Sequence, residues 1–327
     1  MVKRTIKKRG FRYCKTCKNK LWKNGFSENG RQLWKCSICH SNRVHKRPDL
    51  ARQFVFQSFL SWLLGKLSQT ELGCSQRTFS DRVAWCWDVP VPSVITGEVH
   101  EVIIFDGIHV GGLVCLIART KNYVIAWVWV ERENSQNWAQ LLALIPASAY
   151  AATDGQRGIL KALAICWPQT AVQRCHFHVQ ANIRSKLTLH PQTGPAQDLA
   201  RLLRYLHFVR TTKQRDTWVA SFNKLDAKYA DHLKARTIAQ NPKTGGRKWW
   251  YTHGRDRSAF RQVDRLIRNG SLFCYTANPR QIPNTTNKLE GATNSLIRRQ
   301  LGYHRGLPKA HQQVLTNWLL YCQSEGA

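Results

Sequence analysis

The sequence predicts an α/β protein whose core is interrupted by an all-helical insertion and preceded by two small modules. Three observations predict it. Residues 101–176 read as three strands, then helix, strand, helix, strand. Residues 187–283 become strongly basic and helical in pattern, and 284–327 follow as a polar segment and further helix. Ahead of these, residues 1–46 carry two C-x2-C pairs in too little chain to bury a core of their own.

Charge bounds the function. The 327 residues include 50 Lys and Arg against 19 Asp and Glu, a formal net charge of +31. The basic residues are spread along the chain, which favours a nucleic-acid surface over a basic tail. Membrane-surface binding is the rival, but no single amphipathic basic helix dominates, and no apolar run approaches the roughly 18 residues of a bilayer span. The start, MVKRTIKKRGFRYCKTCK, is basic with no apolar stretch after it and is not a secretory signal. Of the 11 cysteines, four have metal-site spacing and the rest are scattered, as in a reducing cytoplasm.

In chain order, residues 1–46 hold Cys14, Cys17, Cys36 and Cys39, with 18 residues between the two pairs. That is the spacing of a zinc ribbon, in which four thiolates hold one structural Zn2+; the alternative is four reduced thiols sharing nothing. His40 is a possible substitute ligand. The intervening segment reads as a strand, a turn at Asn29-Gly30 and a second strand. So small a unit needs its metal to fold.

Residues 47–92 have helical periodicity. Ser68 and Glu71 fit a capping box, and Ser75 fits the cap of a following helix that would offer Gln76, Arg77 and Thr78 to DNA. Helix, glycine-containing turn and polar-fronted helix make a helix-turn-helix pattern, with an ordinary helical hairpin as the alternative. Pro90 and Pro92 mark a linker.

Residues 93–186 form the first part of the core. Strands are expected at 101–110, 112–118 and 123–130, a helix at 134–145 capped by Asn134 or Ser135, a strand at 148–153, a helix at 155–167 and a strand at 170–176. A meander followed by β-α-β-α-β is the order of a ribonuclease-H-like domain. Residues 187–283 form the helical insertion, and 284–327 complete the core.

The scarce acids then become informative. Asp106 lies near the end of the first strand, Asp154 directly follows the fourth, and Glu290 stands alone in an acid-poor segment. The expected sheet makes the two aspartate-bearing strands neighbours. Clustered hard oxygen ligands suit Mg2+ or Mn2+, and a pair of such ions can activate a water or a 3′-hydroxyl and stabilise the leaving oxygen. The alternatives are a turn at Asp154-Gly155, a strand end at Asp106-Gly107 and a first-turn helix acid at Glu290. His109 faces away from Asp106 by strand alternation and is left out.

The motifs FDG at 105–107, TDG at 153–155, RCHFH at 174–178, NTTNKLEGATNSLIRR at 284–299 and GYHRGLP at 302–308 carry a resemblance. Over residues 100–327 the chain resembles the bacterial Mutator-type insertion-sequence transposases of the DDE superfamily, some of which carry an amino-terminal zinc ribbon and helix-turn-helix. The resemblance implies that Asp106, Asp154 and Glu290 form a catalytic triad holding two Mg2+ or Mn2+ ions on a ribonuclease-H fold. It implies that Cys175 and His178 are the family's C-x2-H pair, supporting the active site. It further implies binding of terminal inverted repeats, metal-assisted hydrolysis and joining of 3′ ends to target DNA by transesterification. Such enzymes work on double-stranded DNA as dimers or larger assemblies, in the bacterial cytoplasm at the nucleoid. Trp249 and Trp250, set among Arg and Lys, are expected to stack on DNA bases or else to pack inside the insertion. Arg298 and Arg299 are expected along the DNA backbone. The rivals are a ribonuclease-H-like nuclease without strand transfer and a domesticated, non-catalytic DNA-binding regulator.

Overall fold

The computed structural model describes residues 13–14, 16–28, 30–44, 48–65, 71, 73–239, 248–278, 282–286 and 289–324, without the side chains of 48–50, 289, 290 and 292. The fold is mixed α/β. It divides into two compact units, Met1–Val89 and Pro90–Ala327.

The first unit opens with an antiparallel sheet of β1 (Leu21–Phe26), β2 (Gln32–Cys36) and β3 (Asn42–Val44) in that order. The hairpin is where the alternation put it, but β3 is an addition, too short to show a pattern. Gly30 takes a positive φ of 66° at the turn; Asn29 lies outside the described residues. Little but Cys14, Leu21 and Cys36 is buried here, with Cys17 and Trp34 against them. Helix α1 (Pro48–Leu64) and helix α2 (Gln76–Val83) follow. The Ser75 hydroxyl accepts the Thr78 N–H at 3.2 Å and caps α2. Phe79 from α2 meets Trp62 from α1 edge-on, while Phe59 of α1 does the same with Trp87 in the 3-10 turn after α2. Ser68 lies outside the described residues.

The second unit is built on a five-stranded sheet. Its strands are β4 (Val102–Val110), β5 (Leu113–Arg119), β6 (Val124–Val130), β7 (Tyr150–Thr153) and β8 (Ala171–Arg174). The order is β6-β5-β4-β7-β8, with β4, β5 and β6 antiparallel and β4, β7 and β8 parallel. Near-continuous apolar runs make these strands because both faces are covered. On one face Ile103, Phe105, Leu116 and Ala151 pack against α3 (Ser135–Leu142) and α4 (Arg157–Cys166), through Trp138, Leu141, Ile159 and Leu163. Asn134 caps α3, accepting the Asn137 N–H at 2.8 Å. On the other face lies α11 (Lys309–Tyr321), against which α10 (Ser295–Tyr303) packs. Asn317 of α11 accepts both the Trp127 and Trp129 indole N–H groups, at 2.9 and 2.8 Å.

Helices α5 (His176–Leu187), α6 (Gly194–Arg204), α7 (Thr212–Lys228), α8 (Ala230–Lys234) and α9 (Gly254–Arg268) share one core of Val179, Ile183, Leu199, Phe222, Phe260 and Val263. Helix α5, which ends at Leu187, packs in this core. The expectation of an all-helical insertion is corrected. An antiparallel ribbon, β9 (Arg236–Ile238) with β10 (Trp249–Tyr251), lies between α8 and α9. Consecutive aromatics favour an extended chain, and Arg236 supports it by lying over the Trp249 ring at 4.2 Å. Among the described residues no helix is long and apolar enough to cross a membrane.

Candidate active site and metal centre

The four cysteines at 14, 17, 36 and 39 converge. Their sulfurs all lie within 4.8 Å of one another, with Cys14–Cys39 and Cys17–Cys36 at 3.3 Å and Cys17–Cys39 at 3.6 Å. Four thiolates at ~2.3 Å from one ion would stand roughly 3.8 Å apart, so the set is close to a tetrahedral cage and can hold a zinc ion. The Ser41 hydroxyl lies 3.1 Å from both Cys14 and Cys39. Hydrogen bonding from Ser41, then from the Cys17 backbone, lowers the Cys14 thiol to about 5. That favours the thiolate, which is the ligating form. His40 is not part of the group.

The two aspartates are borne by neighbouring parts of the sheet. In the parallel pair of β4 and β7, Ile104 lies opposite Ala152. Two residues further along each chain stand Asp106 and Asp154; Asp154 directly follows β7, but Asp106 lies mid-strand rather than near the end of β4, because pairing with β5 carries β4 on to Val110. Both are half-buried. Asp106 Oδ1 accepts the Gly107 N–H at 2.9 Å, and Oδ2 accepts Asn294 Nδ2 at 2.8 Å. Asp154 Oδ1 accepts the Gln156 N–H at 2.9 Å and the Thr153 hydroxyl at 3.2 Å. Gly155 then turns the chain with a φ of 81°, and any Cβ there would overlap the Arg174 guanidinium. Arg174 Nη2 donates to the Asp154 carbonyl at 3.1 Å.

Position 290 returns to this edge on a π-helical turn, Leu289–Asn294, that packs against β4 and runs into α10. The Glu290 side chain lies outside the described residues. Its turn is pinned twice: Asn294 reaches Asp106, and the Thr293 hydroxyl accepts from buried Arg119 Nη1 at 2.7 Å. π turns are uncommon and concentrate at functional sites. Among the described residues Asp106 and Asp154 do not complete a three-ligand group.

Cys175 caps α5 and is buried. Its backbone N–H donates to the Thr153 carbonyl at 2.8 Å, and its sulfur accepts the Thr286 N–H at 3.3 Å. Burial pushes the thiol up, but hydrogen bonds with His178 and Thr286 outweigh it and hold it below its usual value. The pair thus ties the 282–286 segment to the end of β7, beside Asp154. Neighbouring His176 is fully buried, with Nε2 2.8 Å from the Leu272 carbonyl, and burial lowers it to about 4.

Sequence reasoning missed Glu133, Arg174, Arg119 and Asn294. Glu133, just before α3, sits over Gly107, where a Cβ would overlap its carboxylate. Burial, then the charge of Asp154, raises its carboxyl above the usual range, with His109 opposing. Nothing in ERENSQ separates Glu133 from a loop acid, but an arginine ending the apolar run LVCLIAR was a readable signal for Arg119.

The expected DNA-contacting residues are accessible. Arg77 on α2, and Arg298 and Arg299 on α10, are exposed. Trp249 and Trp250 are 39% and 43% exposed on the ribbon, which overturns their packing inside the insertion. No protein-family model matches the chain, and a search of curated proteins finds no match.

Proposed function

We propose that the chain is a DDE-type DNA transposase with a ribonuclease-H-like catalytic domain, a zinc ribbon and a helix-turn-helix. The observation that carries this reading is the parallel pairing of β4 and β7, in which Ile104 lies opposite Ala152, each two residues before an aspartate. The order β6-β5-β4-β7-β8 supports the fold, and the pinned turn at Leu289–Asn294 supports Glu290 as the third ligand.

Asp106, Asp154 and Glu290 would hold Mg2+ or Mn2+. Hard oxygen donors fit that choice. Bound there, the ions would supply an activated water or 3′-hydroxyl and a counter-charge for the leaving oxygen. The chain's own residues pre-position the donors. The Gly107 and Gln156 N–H groups each fix one carboxylate oxygen, and Asn294 fixes the rotation of Asp106. Cys175 and His178 hold the 282–286 segment in place. On the first unit, Arg77 would read transposon ends from α2; on the second, Arg298 and Arg299 would follow phosphates, and Trp249 and Trp250 would stack on bases. Two or more copies would act together on the ends and the target, in the cytoplasm.

The test is Asp154→Asn with end-bearing duplex DNA and Mg2+. Cleavage should fall at least ~10³-fold while end binding is retained, since the loss falls on transition-state stabilisation alone. Normal cleavage would sink the triad. A pre-cleaved end that yields no strand-transfer product would leave a nuclease; binding with no metal-dependent nicking would leave a regulator.

A further inference from the structure

Inside the helical region a second ligand set stands apart from the aspartates. His232 of α8, with His253 and Asp256 at the start of α9, bring one imidazole nitrogen each and a carboxylate oxygen within 4.8 Å of one another. Asp256 is buried, and both histidines are half-buried. His232 Nε2 lies 3.0 Å from Asp256 Oδ2, and the two imidazole rings are nearly parallel with centroids 3.6 Å apart. Three ligands at ~2.0–2.1 Å from one tetrahedral ion would stand roughly 3.3 Å apart, and because imidazole lone pairs lie in the ring plane, binding would turn one ring out of this stack. The Thr193 hydroxyl, capping α6, donates to Asp256 Oδ2 at 2.7 Å and fixes that carboxylate from outside. An outer hydrogen bond of this kind is what orients a ligating side chain.

The position in the fold supplies the reason for a staple here. His232 precedes the β9–β10 ribbon and His253 follows it. The ribbon's base closes with the Thr252 N–H donating to the Ala235 carbonyl at 2.9 Å, and the ligand set lies immediately below. The ribbon has little core of its own: Ile238 is 76% exposed, and the two tryptophans project from it. Its rings are covered by Arg236 of the ribbon, over Trp249, and by Arg257 of α9, over Tyr251.

We propose that His232, His253 and Asp256 bind a borderline divalent ion, Zn2+ or a first-row neighbour, which staples the base of the β9–β10 ribbon. Two imidazoles and one carboxylate select such an ion over Mg2+, which prefers oxygen alone. The site is therefore distinct in chemistry from the aspartate pair, and the proposal stands whether or not the chain is a transposase.

The test is the zinc content of the full chain, measured by elemental mass spectrometry after Zn2+ loading and dialysis. Two equivalents are expected, one for the four cysteines and one for this site. His253→Asn, checked for folding by circular dichroism, should hold one fewer. In Co2+-loaded protein the second equivalent should add weak visible bands without further thiolate charge-transfer absorption. It should also slow hydrogen exchange in Arg236–Ile238 and Trp249–Tyr251. A wild-type content of one equivalent overturns the site however the variant folds. So does an unchanged count in folded His253→Asn, which would leave His232 and Asp256 as a plain hydrogen-bonded pair. Exchange that ignores the second equivalent overturns the stapling role.

Discussion

The four thiols of the first unit can hold a metal ion and the two aspartates of the second are proposed to, and the two sets are built in opposite ways. The thiols come from two knuckles close in sequence, around which very little is buried. The aspartates come from a strand, and from the residue after one, in a sheet already fixed by a full apolar core on one face and α11 on the other. The first set would make its fold through the ion it holds; the second is made by its fold. On the proposed function, a metal would be a structural requirement at one and would serve the chemistry at the other.

The sharpest way to break this contrast is Cys36→Ser. Structural zinc contributes ~10 kcal/mol or more to folding of small modules, so β1, β2 and β3 should lose amide protection while the thermal transition of Pro90–Ala327 stays put. Persisting protection would mean the sheet does not depend on the ion. Next in size is a pH effect confined to the second unit. His176 is held to about 4 by burial, against about 6.5 in an unfolded chain. Between those values the unfolded chain takes up a proton that the folded chain refuses, so stability is present above pH ~6.5 and lost by up to roughly 3 kcal/mol as pH falls towards 4. His176→Gln should flatten that part of the pH profile in urea denaturation. Gly155→Ala should cost ~1–3 kcal/mol, since its φ is positive and its Cβ meets Arg174; an unchanged midpoint would show that Arg174 yields freely. Smallest is Asn294→Ala, at ~1 kcal/mol for one hydrogen bond to a carboxylate. It should weaken Mg2+ binding by calorimetry more than it lowers stability.

Legibility followed the same divide. The cysteine spacing is visible because all four ligands sit in one short stretch. Strands β4, β5 and β6 are visible because burial on both faces writes long apolar runs, and that in turn exposed Asp106 as a polar interruption. Asp154 could be read from its place after an apolar strand. Glu133 could not, because what matters is that it folds over Gly107, and no local pattern records that contact. The β9–β10 ribbon was hidden by brevity: three residues a side are too few for alternation to declare itself. His232 and His253 were hidden by being ordinary residues flanking that ribbon.

The π turn at Leu289–Asn294 carries a consequence for how this chain can change. A π turn is an α-helix holding one residue more than it needs. Deleting a single residue there would let the backbone relax into a regular helix continuous with α10, at little cost in hydrogen bonds. Everything before the deletion would rotate by about 100° around the helix axis, swinging position 290 away from β4. One codon's length thus separates a segment that returns to Asp106 from one that only passes it. Substitution is not the gravest lesion here; a shift in frame-preserving length is.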